Sequence, residues 1–197
     1  KTHMAVGDIF TLQVQWRLTN GTLTAQNQFH FRQTAPLLFD TEAEDLIQAF
    51  DDLARPDYQA CVSGQWGIVN YVVKEQPSGL TVGEAAQPDL SGVQTGDSLP
   101  PQVAPILSFR TSQPGRSGKG RVYLPPCSET NSGIVGSAAT AQVNLMLAFA
   151  SDLQAMESNV LYAGWEWGVW SEKLQAFNPV TGYTARVSFA TQRGRTR

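Results

Sequence analysis

Cysteine and histidine are scarce in this 197-residue chain, and the shortage narrows the functions open to it. Two cysteines cannot form the disulfide network of a small secreted scaffold, and neither has a neighbouring Cys or His at metal-ligand spacing. Cys61 and Cys127 are therefore expected as buried thiols, with a single bridge between them as the alternative. No metal and no cofactor is predicted.

Charged residues and long apolar runs are scarce as well. Only 16% of the residues are charged and the formal net charge is −3, so the composition predicts neither a disordered chain nor general affinity for nucleic acid. No apolar run approaches the roughly 20 residues that span a bilayer, and no basic-then-apolar secretion signal opens the sequence. We expect one soluble domain over residues 1–197 with no membrane partner.

With only two histidines in the chain, few arrangements of residues could support nucleophilic or acid–base catalysis. Apart from His3, His30 is the only histidine, and no Ser or Cys motif lies near it in the sequence. The segment 115–120 approaches the phosphate-loop pattern, but Gln113 stands where the first Gly belongs and Gly120 stands where Ser or Thr would bind the metal ion. No catalytic residue is predicted, and a hydrolase built around His30 is the least favoured alternative.

Alternation of apolar and polar residues, by contrast, is frequent and predicts β-strands. Ile9 to Trp16 and Leu23 to Phe31 flank Asn20-Gly21, a dipeptide typical of hairpin turns. Further strands are predicted at Gly67–Lys74, Val103–Thr111, Arg121–Leu124, Trp165–Ser171 and Tyr183–Ala190. The turn before the last strand is expected at Asn178-Pro179 and Thr181-Gly182.

Two stretches have helical periodicity instead. Thr41 to Glu44 forms a capping box, and the apolar residues after it predict an amphipathic helix that ends at Arg55-Pro56. Ser137 caps a second helix that is predicted to run to about Glu157. Residues 76–101 are rich in Gly, Pro, Ser and Gln and predict a long loop or arm.

Strands interleaved with two amphipathic helices favour an α+β domain. In this arrangement a mainly antiparallel sheet is covered on one face by both helices. The alternative is a β-sandwich or jelly roll with inserted helices, because every predicted strand is short and hairpin-like.

The charged residues are few but segregated. Residues 99–126, bracketed by Pro-Pro, hold four bases and no acid, residues 173–197 hold five bases and no acid, and residues 40–57 hold seven acids and one base. We predict contacts with neighbouring subunits or with nucleic acid for the bases. These are Arg110, Arg116, Lys119, Arg121 and Arg186, with Arg193, Arg195 and Arg197 in a basic tail over 191–197. The complementary acidic face is predicted on the first helix, at Glu42, Asp45, Asp51 and Asp52.

Five motifs occur together in the chain. They are QNQFHFR (26–32), LPPQVA (99–104), SFRT followed by GRSGKGRVYLP (108–125), PVT (179–181) and TQR (191–193). In this combination the chain resembles a poorly characterised family of small proteins from phage and environmental virus genomes. The resemblance covers most of the chain, and the Gly-Arg-rich segment is its most specific part. Gly194 and Thr196 interrupt the arginines that usually follow TQR in the family.

The resemblance implies a component of the virion and not an enzyme. We therefore predict a viral structural protein that self-assembles into a homo-oligomer, as a capsid or coat subunit. Packaged nucleic acid is a second expected partner, through the basic segment and the tail. The alternative is a phage tail component or a receptor- or glycan-binding virion component, whose working surface would be the exposed strands around Trp165, Trp167 and Trp170.

Overall fold

A computed structural model describes residues 5–18, 24–36, 42–61, 66–86, 103–113, 116–123, 137–158 and 164–189. Each half of the chain follows the order strand, strand, helix, strand, strand. The first half contains β1 (Ile9–Leu18), β2 (Thr24–Gln33), α1 (Glu42–Cys61), β3 (Trp66–Gln76) and β4 (Thr81–Ala86). The second half contains β5 (Val103–Gln113), β6 (Arg116–Tyr123), α2 (Ser137–Ala155), β7 (Trp165–Ser171) and β8 (Ala176–Phe189).

The eight strands form one sheet in the order β4-β3-β1-β2-β7-β8-β5-β6. Every neighbouring pair is antiparallel, and the pairing of β2 with β7 joins the two halves. A mostly antiparallel sheet with two helices is the α+β arrangement that the sequence predicts, in place of the two-sheet sandwich.

The alternation along β1 decides which side of the sheet is buried. Phe10, Leu12 and Val14 are fully buried on one side, which we call the core side, and their neighbours across β2 include the buried Phe29 and Phe31. The residues between them in sequence project from the opposite side, which we call the polar side, because successive side chains of a strand alternate.

Aromatic rings of both helices contact Phe29 of β2. Phe29 of β2 lies 5.0 Å from Phe50 of α1 and 6.0 Å from Phe149 of α2, measured between ring centroids. Phe50 and Phe149 also contact each other at 6.2 Å, nearly perpendicular. Tilted and edge-to-face ring pairs of this kind stabilise a core beyond the area that they bury. Neither described helix is long and apolar enough to cross a membrane.

Three predicted boundaries are wrong. The first helix does not end at Arg55-Pro56 but continues to Cys61. Pro56 lacks only its own backbone N–H, so the helical turns before and after it can keep their hydrogen bonds. Residues 81–86, expected inside the loop 76–101, form β4, which pairs with β3. The last hairpin turns at 172–175 and not at 178–182, where the turn signals coincide with an irregular register between β5 and β8.

The Gly-Arg-rich segment is also more regular than its glycines suggest. It enters β6 at Arg116, so that Gly120 pairs with Phe109 of β5. A Cβ atom at position 120 would lie 2.1 Å from two carbons of the Phe109 ring, so glycine is required by the close approach of that ring. The predicted Asn20-Gly21 turn, Cys127 and the tail 191–197 lie outside the described residues.

Candidate functional site

Three arginines lie on the polar side of the three strands at one end of the sheet. Arg110 of β5, Arg121 of β6 and Arg186 of β8 are all exposed. Leu107 and Phe109, which alternate with Ser108 and Arg110 along β5, are buried on the core side. We call these three residues the arginine face. Arg110 and Arg186 are 76 residues apart in the sequence, and the three arginines meet only because β5 lies between β6 and β8.

The register sets the spacing within the arginine face. Arg121 pairs with Ser108, two residues before Arg110, and Arg186 pairs with Ile106, two residues earlier again. Arg110 and Arg121 are diagonal neighbours on adjacent strands, about 7–8 Å apart, within reach of long side chains. Arg186 lies four residues along β8 from Gly182, the partner of Arg110, so the three cations form a triangular group across three strands.

No acid in the same strands balances these three cations. The segments 103–113, 116–123 and 176–189 contain five bases and not one Asp or Glu. Among the described residues, the three arginine side chains form no ion pair or hydrogen bond. A groove of about 880 Å³, lined by these arginines and by Ser108, Tyr183 and Thr184, runs beside them. The arrangement suits an extended anion.

The other predicted bases divide into two groups. Arg116 and Lys119 belong to β6, and Lys119 pairs with Arg110 in register, but their side chains are outside what the structure describes. Arg193, Arg195 and Arg197 lie beyond the last described residue. Contacts of these five bases remain predictions.

The predicted acidic face of α1 is wrong for two of its four members. Asp45 and Asp51 are only 2% and 5% exposed, because each accepts a hydrogen bond from a buried aromatic side chain. The Trp165 indole Nε1 donates to Asp45 Oδ2 at 2.9 Å, and the Tyr71 hydroxyl donates to Asp51 Oδ1 at 2.5 Å. Burial raises the pKa of Asp45, and the hydrogen bond from Trp165 opposes that rise. Of the predicted acids, Asp52 is exposed and the Glu42 side chain lies outside the description.

The three tryptophans of β7 are not an exposed binding surface. Trp165 and Trp167 are 0% and 3% exposed and belong to the hydrophobic core. Trp170 is on the polar side, where it is 9% exposed and its indole Nε1 has no partner among the described residues. The expectation of exposed strands around these rings is therefore wrong, although Trp170 lines a cavity.

That cavity is a polar pocket of about 600 Å³ on the N-terminal half of the sheet, and we call it the His30 pocket. Its floor consists of polar-side residues from β1, β2 and β3, and the turns 77–79 and 172–175 supply its walls together with Trp170. The lining residues are Thr11, Gln13, Gln28, His30, Lys74, Gln76, Pro77, Ser78, Gly79, Trp170, Glu172 and Gln175.

His30 is held neutral and oriented inside this pocket. Its Nδ1 lies 3.0 Å from Thr11 Oγ1, which also accepts a hydrogen bond from Gln76 Nε2 at 3.1 Å. When the Thr11 hydroxyl donates its proton to Nδ1, the neutral imidazole carries its own proton on Nε2. Burial lowers the pKa of His30 to about 4, so the ring is uncharged at neutral pH. A threonine and an amide stand here where a catalytic triad would use a carboxylate.

Beside the pocket, Arg32 is used differently from the arginine face. It forms an ion pair with Glu166, its register partner on β7, and its guanidinium carbon lies 5.1 Å from the centre of the Phe177 ring. Phe177 in turn crosses Gly168, where a Cβ would lie 2.2 Å from the ring and 2.5 Å from the Asn178 carbonyl oxygen. These contacts fix the junction between the two halves of the sheet.

The sequence did not predict the His30 pocket. The polar alternation of Thr11 and Gln13 in β1, and of Gln28 and His30 in β2, is visible in the sequence, but it predicts only a polar surface. What creates the pocket is the register that places His30 beside Thr11, and the two turns, of which one was expected elsewhere. Among the described residues, no group of three or more His, Cys, Asp or Glu side chains could hold a metal ion.

Comparisons with protein-family models, with curated proteins and with solved structures found no significant match.

Proposed function

We propose that this protein is a structural subunit of a virion, a capsid or coat protein that self-assembles and contacts the packaged nucleic acid through the arginine face. The observation that carries the proposal is the group of exposed Arg110, Arg121 and Arg186 on three adjacent strands without a single acid. The motif resemblance to virus-encoded proteins adds the class of particle. The proposal includes no catalytic step.

Nucleic acid is a better partner for the arginine face than the α1 helix of another copy. Docking of the arginine face on α1 would need several exposed carboxylates on that helix. Two of the predicted ones, Asp45 and Asp51, are instead buried against Trp165 and Tyr71. A phosphate backbone supplies regularly spaced charge and releases counterions when cations neutralise it. Homo-oligomer contacts then have to come from other surfaces of the subunit.

The proposed orientation follows from the aromatic contacts. Because Phe29 contacts both Phe50 and Phe149, we place both helices on the core side of the sheet. The polar side, with the arginine face at one end, is then turned toward the interior of the particle.

Two measurements test the proposal. The first is electron microscopy of the purified full chain, with rings, tubes or closed particles as the expected result; a monomer at every concentration and salt would contradict self-assembly.

The second is binding of a fluorescent single-stranded oligonucleotide as a function of salt concentration. Removing all three arginines together, as Arg110→Ala, Arg121→Ala and Arg186→Ala, should reduce the slope of log K against log salt by about 2, at roughly 0.7 per lost phosphate contact.

A charge-matched control separates the arginine face from net charge. Lys173 is exposed in the turn between β7 and β8, so Lys173→Ala removes one cation from the same polypeptide without touching the arginine face. Arg121→Ala should weaken oligonucleotide binding more than Lys173→Ala does. Equal effects would show that binding follows total charge, and the arginine face would then have no special role.

A further inference from the structure

We infer that the His30 pocket binds a neutral carbohydrate, independently of the arginine face. The pocket combines an aromatic wall with a floor of amide and hydroxyl side chains, and its single cation, Lys74, is balanced by Glu172. This would be a second binding activity on the same polar side of the sheet, at the opposite half.

Three floor residues are available to a ligand. Gln13 and Gln28 are register partners on β1 and β2, and Lys74 is the register partner of Thr11 on β3. Among the described residues their side chains form no hydrogen bond or ion pair. An amide carries both donors and an acceptor, so two adjacent glutamines match a ligand whose hydroxyl groups also donate and accept.

The rest of the pocket is already held in place. Gln76 donates to Thr11, and Thr11 contacts His30 Nδ1, which leaves the Nε2 edge of the neutral ring for a ligand oxygen. In one wall Ser78 Oγ lies 3.1 Å from Glu75 Oε2 and accepts from the Leu80 N–H at 3.2 Å. In the other, Gln175 Nε2 donates to the Glu172 carbonyl at 2.7 Å. A site whose walls are fixed before binding loses less entropy when the ligand arrives.

Trp170 gives the pocket its aromatic component. It is the one tryptophan of β7 on the polar side, it lines the pocket, and its buried indole N–H has no partner among the described residues. A tryptophan ring offers a rigid apolar surface, which matches the C–H face of a pyranose.

A nucleotide fits the same pocket less well. Binding a phosphate favours several converging donors of positive charge, and the pocket has Lys74 alone with Glu172 opposite in charge. The three unpaired arginines of the arginine face lie on the other half of the sheet, so an anionic ligand would be drawn there instead.

The test uses the full chain against a glycan array and, by saturation-transfer NMR, against a panel of free neutral mono- and disaccharides, with adenosine monophosphate as the anionic comparison. We expect at least one neutral saccharide to bind. Array binding with silent free sugars would assign the site to an oligosaccharide, and binding of free sugars to a single ring. No saccharide binding in either format, or tighter binding of the nucleotide, would overturn the inference.

The β2 strand provides a closely matched pair of variants. Gln28 and Gln26 are both exposed on the polar side of β2, but only Gln28 lines the pocket. Gln28→Ala should weaken saccharide binding about tenfold, the effect of one lost hydrogen bond, and Gln26→Ala by less than about twofold. Equal effects of the two substitutions would place the saccharide elsewhere and refute the pocket assignment.

Two further variants guard against misfolding and against confusion with the proposed function. If Gln28→Ala lowers the melting temperature, Gln13→Ala replaces it, since Gln13 is its register partner in the same pocket. The triple arginine variant should keep full saccharide affinity. Loss of saccharide binding in that variant would refute an independent site, whereas failure of the oligonucleotide test alone would leave the pocket assignment standing.

Discussion

The helix α1 and the strands β5, β6 and β8 are the two charge-rich regions of this chain, and they use their charges in opposite ways. Of the acids in α1, Asp45 and Asp51 are turned inward and bound to buried aromatic donors. Arg110, Arg121 and Arg186 of the strands are exposed and have no partner among the described residues. The number of charges in a segment therefore does not show whether those charges are available to another molecule. Their burial and their hydrogen-bond partners within the fold decide this.

The polar side of the sheet repeats the contrast within one surface. On the N-terminal half and at the junction, His30 is uncharged and Arg32 is paired with Glu166. On the C-terminal half, Arg110, Arg121 and Arg186 have no partner among the described residues. We accordingly expect substitutions at the first set to change stability, and substitutions at the arginine face to change binding.

The largest stability loss is expected from Gly120→Ala, in the strand that carries Arg121. The new methyl group would meet the Phe109 ring, which is 6% exposed and has little room to move, so we expect a loss of about 3 kcal/mol in the free energy of unfolding. Gly182→Ala is the control, because nothing lies within 4 Å of its Cβ position, and should change stability by less than about 0.5 kcal/mol. Urea unfolding measures both, and equal stabilities would contradict the packing of Phe109 on Gly120.

The second prediction concerns pH and His30. Its pKa is about 4 in the folded protein against 6.5 as the ordinary value, so between these values the unfolded chain binds the proton more readily. The contribution of His30 is therefore complete above pH 6.5 and is lost as the pH falls to 4, by up to ~3 kcal/mol. His30→Gln should flatten this part of the stability profile. A variant that follows the same pH curve as the natural protein would show that another group titrates.

The third prediction tests an inward-turned acid. Asp45→Ala leaves the Trp165 N–H without its acceptor and should cost about 2 kcal/mol, whereas Asp45→Asn keeps an oxygen there and should cost less. Burial raises the pKa of Asp45, so ionisation of this group lowers the stability of the natural protein as the pH rises. Asp45→Asn cannot ionise, and its stability relative to the natural protein should therefore increase with pH. Thermal unfolding of both, with the exposed Asp52→Ala as control, checks this order.

The smallest effect compares two arginines on the same side of the sheet. Arg32→Ala removes an ion pair with Glu166 and a contact with the Phe177 ring, and we expect a loss of about 1 kcal/mol. Arg121→Ala should leave stability within about 0.5 kcal/mol while weakening oligonucleotide binding. A larger stability loss at Arg121 than at Arg32 would reverse the distinction between the two halves.

Local periodicity predicted most of the fold. Both helices and all seven predicted strands are present, because alternation and helical spacing depend on which residues face the core. The errors come where a turn-forming or helix-breaking residue serves another purpose. Gly120 admits the Phe109 ring, residues 180–182 lie at an irregular register, and Pro56 lies inside α1.

The sites were less predictable because they depend on contacts between distant parts of the chain. Asp45 and Trp165 are 120 residues apart, so no local pattern shows that this acid is buried. Arg110, Arg121 and Arg186 were among the predicted bases because their segments contain no acid, but only the strand order brings them together, and their contacts stay predictions. The His30 pocket was missed, because its existence depends on strand register and on two turns.

The position of β6 at the end of the sheet gives the subunit a polarity. Its sequence carries Arg116, Lys119 and Arg121 and no acid, while β4 at the opposite end carries the exposed Glu84. Like charges that face each other weaken strand pairing, and cations on an edge strand deter one sheet from adding to another. Two copies that approached β6 to β6 would repel, whereas β6 of one copy meets no such penalty at β4 of the next.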